Sequence, residues 1–71
     1  MNQTEITQIT NLVIRTKYFS RSANENFTFI SLDTEEKLIK IGITINGKGT
    51  LKTLGFIDFN KKYMRDGVVE D

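Results

Sequence analysis

The 71-residue chain has no cysteine, no histidine, no proline and no tryptophan, and each absence narrows what it does. Without cysteine there is no disulfide framework, no thiolate metal site and no thiol nucleophile. Without histidine, the usual general base near neutral pH is missing, and so is the commonest metal ligand. No apolar run approaches the ~18 residues of a membrane span; the longest is Leu12-Val13-Ile14. Residues 1–8 are polar and acidic, unlike a signal peptide, so a cytoplasmic protein with no membrane partner is expected. A chain this short forms one domain, residues 1–71, with residues 1–8 and 67–71 read as flexible ends. Such a domain buries only about 60% of its unfolded surface, which favours a compact core or one completed by a partner.

The remaining chemistry is thin. Asp33, Glu35 and Glu36 lie together in a short polar connector and read as solvated turn residues rather than a catalytic pair. Nine threonines and three serines supply hydroxyls, but none has an activating partner. Gly47-Lys48-Gly49 sits between two strand-like segments, which is not the context of a phosphate-binding loop. The expectation is a non-enzymatic protein with no catalytic residue, no metal site and no cofactor.

The patterning is that of a β protein. Ile39, Ile41, Ile43 and Ile45 alternate with Lys40, Gly42 and Thr44, the period of a strand with one buried face. Asn46-Gly47-Lys48-Gly49 follows as a turn, and residues 50–59 read as the returning strand. Pairing Ile45 with Thr50 sets Ile41 opposite Leu54, Ile39 opposite Phe56, and Asp58 opposite Lys37. A second hairpin precedes it. Its strands are Leu12–Phe19 and Asn26–Leu32, with Phe27, Phe29 and Ser31 on one face of the latter. Residues 4–11 have apolar side chains at helical spacing (Ile6, Ile9, Val13), but their threonine content favours extended structure. Asn60 caps a helical turn over residues 61–65, and Val68-Val69 forms a short last strand. The fold class expected is all-β: a small antiparallel meander of four to five strands with one short helical turn near the C-terminus. That element order suits an SH3-like barrel.

Two binding surfaces emerge from this layout. The second hairpin carries apolar residues on both faces, so one face needs an outside cover. Leu38, Leu51, Ile57, Phe59 and Tyr63 are the expected protein-binding residues, for another protein or for a second copy in a homodimer. An inhibitor or accessory subunit of a larger machine is the leading expectation. The alternative is a single-stranded DNA or RNA binder. Residues 37–65 hold seven basic side chains and one acid, and aromatics are interleaved among them. On that reading the site is Lys40, Lys48, Lys52, Phe59, Lys61, Lys62 and Arg65. A pI near 8.0 lies below the range that marks nucleic-acid domains.

Overall fold

The computed structural model describes residues 1–71. Helix α1 (Gln3–Thr10) leads into strands β1 (Lys17–Ser20), β2 (Glu25–Asp33), β3 (Leu38–Ile45) and β4 (Lys48–Gly55). A short helix α2 (Phe56–Phe59) runs on into a π-helical turn (Asn60–Met64), and β5 (Val68–Glu70) closes the chain. The five strands form one antiparallel sheet in the order β4-β3-β2-β1-β5. The all-β meander with a helical turn near the C-terminus is therefore present. The sheet is open, with β4 and β5 as its two edges and no ladder joining them into a closed barrel. No helix is long and apolar enough to cross a membrane.

The N-terminal segment is helical rather than extended, and the reason is local. Asn2 caps α1: its side chain accepts the Glu5 N–H at 2.8 Å, and the Glu5 carboxylate accepts the Asn2 N–H at 3.0 Å. This reciprocal capping box satisfies two otherwise orphaned donors and outweighs the weak helix propensity of threonine. α1 thereby delivers Ile9, fully buried, to the core, while Val13 lies beyond the helix end and is exposed.

The first strand is shorter than the alternation implies. Leu12–Thr16 is a turn in which Arg15 takes φ of 67°, and only Lys17–Ser20 forms β1. Here an apolar triplet reads like a strand, but its Val13 N–H is held by the Tyr18 hydroxyl at 2.8 Å instead of by a ladder. β2 also departs from simple alternation. Its pairing with β3 shifts register between Phe29 and Ser31, so Ile30 is the extra residue of a β-bulge. Phe27 and Phe29 face the core, yet beyond the bulge it is Leu32, not Ser31, that packs inward.

The β3–β4 hairpin is present with a different register. Asn46 (φ 51°) and Gly47 (φ 81°) form a two-residue turn of the I′ kind, and Ile45 pairs with Lys48. Ile41 accordingly faces Lys52, and Ile39 faces Leu54. The shift is by two residues, so every side chain keeps its face while changing its partner. The strand also ends early. Phe56–Phe59 is helical, which takes Ile57, Asp58 and Phe59 off the sheet, so Asp58 has no cross-strand partner in Lys37.

The core lies on the inner face of the sheet, beneath α1 and the C-terminal helical segment. Tyr18, Phe27, Phe29, Ile39 and Ile41 come from the strands, and Ile9, Phe56, Phe59, Tyr63 and Met64 cover them. Phe27 is its centre. Its ring stands edge-on to Phe59 at 5.6 Å and to Tyr63 at 5.2 Å, and it stacks on Tyr18 at 5.8 Å. Such pairs add about 0.5–1.5 kcal/mol each beyond their burial. Near the chain ends, α1 spans Gln3–Thr10, and β5 pairs with β1 from Ser20–Val68 to Tyr18–Glu70.

Candidate functional site

Aromatic placement decides what kind of surface this protein offers. Six of its seven aromatic residues are buried: Tyr18, Phe27, Phe29, Phe56, Phe59 and Tyr63. Phe59 and Tyr63 are fully inaccessible, which corrects their assignment to a binding surface. They lie four residues apart on the helical segment that follows the sheet, so both rings stack inward at 5.3 Å. Tyr63 is tied down further. Its hydroxyl donates to a Glu25 carboxylate oxygen at 2.6 Å, and burial with this bond holds its pKa well above 10. Ser20, the one buried polar residue, donates to the Tyr63 carbonyl at 2.6 Å.

The other three apolar candidates stay outside. Leu51 is 66% exposed, Ile57 56% and Leu38 39%. Leu38 and Leu51 lie on the outer face, opposite Gly55 and Gly42 respectively. Gly42 has no side chain, so Ile30 and Leu51 wall a shallow depression of about 330 Å³ over it. Ile57 belongs to a second, more enclosed cavity of about 550 Å³ between α1 and the start of α2. Met1, Ile6 and Phe56 contribute apolar lining there, and Lys37 and Asp58 stand at its polar side.

β4 connects these features. It is hydrogen-bonded to β3 on one side only, over eight residues from Lys48 to Gly55, and it contains no proline. Its other edge is a row of unpaired backbone groups, a ready template for another strand. β4 carries Lys48 and Lys52 and no acidic residue. The connector acids lie elsewhere, where Asp33 accepts the N–H groups of Glu35 and Glu36 at 3.0 Å in a turn.

The basic candidates do not gather around an aromatic. Lys40 is exposed on the outer face, Lys48 stands at the hairpin tip, and Lys61 and Arg65 project from the helical segment. Lys52 and Lys62 do come together, from β4 and the π-helical turn. Both line one cleft, and the neighbouring Lys62 charge, with partial burial, holds the Lys52 pKa below the usual lysine value. Lys62 also lies over the Tyr63 ring, 5.4 Å from its centroid. The pairing of Lys52 with Lys62 depends on how the helical segment docks, and no spacing in the chain announces it. No family model, curated protein or solved structure matches the chain.

Proposed function

We propose that this chain is a non-enzymatic protein-binding module that takes up an extended, acidic segment of its partner along the free edge of β4. The observation that carries this reading is an unpaired eight-residue edge strand with exposed Leu51 upon it and exposed Ile57 just beyond it. Strand addition draws affinity from main-chain hydrogen bonds and specificity from alternate side-chain pockets. The Gly42 depression and the cavity beside Ile57 lie at either end of that edge and suit apolar partner residues.

Charge argues for the acidic partner over a second copy of the chain. Lys48 and Lys52 share one face of β4, so acids four residues apart on an added strand stand opposite both. A second β4 brings the same cations to its own edge. The single-stranded nucleic-acid alternative loses its stacking platform, because Phe59 and Tyr63 lie in the core.

The test is selection of binders from a random eight-residue peptide display library, followed by hydrogen exchange on the complex. Selected sequences are expected to lack proline, to favour β-branched residues and to carry acids four residues apart. They should protect the β4 amides and lose binding to Leu51→Asp. Binders that leave β4 exchange unchanged, or ignore that substitution, sink the proposal.

A further inference from the structure

The ladder between β2 and β3 ends at the Thr28–Gly42 pair. Beyond it, β2 turns away to pair with β1 as far as Ser20–Glu25, while Ile43–Ile45 continue with β4. The strands part and leave a cleft of about 390 Å³ on the β2 side of β3, away from the β4 edge. Lys17 from β1, Lys52 from β4 and Lys62 from the π-helical turn line it, with Glu25 as its only carboxylate. The cleft therefore carries a formal charge of +2, three lysines less one glutamate.

This grouping is held in place. One Glu25 oxygen accepts the Tyr63 hydroxyl. The Lys62 carbonyl accepts the Ser22 hydroxyl at 2.7 Å, and its ammonium rests over the Tyr63 ring. Two ammonium groups that line one cleft repel one another, and an anion placed between them relieves the repulsion. Sheet edges, as a class, form anion-binding concavities.

We propose that this cleft binds a phosphoryl dianion between Lys52 and Lys62, with Lys17 as the third cation. A dianion balances the +2 of the cleft, whereas a carboxylate leaves half of it unanswered. Lysine serves phosphate as a point charge, without the fork geometry that arginine brings. The dianion is either free inorganic phosphate or the monoester of a phosphorylated residue. The proposal is argued from the cleft and not from strand addition at β4, with Lys52 the one residue the two share.

Amide NMR of the full chain at constant ionic strength tests it, with inorganic phosphate, O-phosphoserine, acetate and a mixed-sequence single-stranded oligonucleotide as probes. Saturable shifts are expected for residues 26–28 and 42–45 with both phosphate probes and not with acetate. The tighter of the two names the source, free phosphate or a phosphorylated residue. Lys52→Gln and Lys62→Gln should each weaken binding about tenfold, the loss of one charge-assisted hydrogen bond, and Lys48→Gln should not. Equal shifts with acetate, or a linear response without saturation, overturn the proposal. So does an oligonucleotide that binds the same residues more tightly per phosphate, because the cleft would then read a diester backbone.

Discussion

Ser20→Ala removes a single oxygen from the interior and should be among the costliest small substitutions in this chain. The Ser20 hydroxyl donates to the Tyr63 carbonyl at 2.6 Å and accepts the Ala23 N–H at 3.2 Å. It thus ties the β1–β2 turn to the π-helical turn, two segments 43 residues apart. Alanine keeps the methylene and leaves both backbone groups without this partner. A buried polar group deprived of its partner costs about 1–3 kcal/mol. The Ala23 bond is only partly buried, so water recovers some of its share. About 2–4 kcal/mol is expected in total. A 71-residue domain has about 4–10 kcal/mol of stability altogether, so this is a large fraction. Urea unfolding followed by far-ultraviolet circular dichroism reads it as a lower midpoint at unchanged m. Thermal unfolding should show a fall of about 4–8 °C per kcal/mol. Ser22→Ala is the control, because its bond to the Lys62 carbonyl is exposed and water replaces it; under about 1 kcal/mol is expected there. If Ser20→Ala lies within about 0.5 kcal/mol of the native chain, or Ser22→Ala costs as much, the reasoning fails.

Tyr63→Phe should cost about 1–2 kcal/mol by removing the bond to Glu25, and it should change the alkaline limb of stability. The folded pKa of Tyr63 is raised, so the unfolded chain loses the phenolic proton first, and native stability falls as pH rises above 10; that part of the decline should vanish in Tyr63→Phe. Lys52 has the opposite sign, since its lowered pKa makes stability rise as pH approaches 10.5, so only the difference between the two proteins isolates Tyr63. Gly47→Ala should destabilise by about 1–2 kcal/mol in the same urea assay, because alanine pays for φ of 81° although no atom lies within 4 Å of the added methyl. Glu5→Ala removes half of the capping box and the acceptor for the Asn60 side chain, which joins α1 to the C-terminal segment. About 1–2 kcal/mol is expected, with faster amide exchange confined to α1; uniform exchange across the sheet would refute that tie.

Local chemistry made much of the fold legible. Alternating isoleucines from 39 to 45 define a strand whichever partner it finds, because successive side chains point to opposite faces. Asn46-Gly47 defines a turn because both residues accept positive φ. Even the helix at residues 3–10 was written locally, in the spacing of Asn2 and Glu5, where threonine content pointed the other way. The absence of histidine and cysteine alone fixes which chemistries lack their usual side chains.

Tertiary packing decided the rest. The same two-faced hairpin accommodates pairings two residues apart without moving a side chain off its face, and the tight turn selected between them. Ile30 sits at a bulge just past the stretch of β2 that pairs with β1, within the stretch that pairs with β3. Phe59 and Tyr63 have the composition of a stacking surface, but a core this small needs nearly every ring, so both went inside. Lys52 and Lys62 stand ten positions apart on different elements, and the docking of the helical segment on the sheet brought their charges together. Sequence determines what each segment prefers. Which faces meet, and which charges are left facing one another, depends on how those segments share one limited interior.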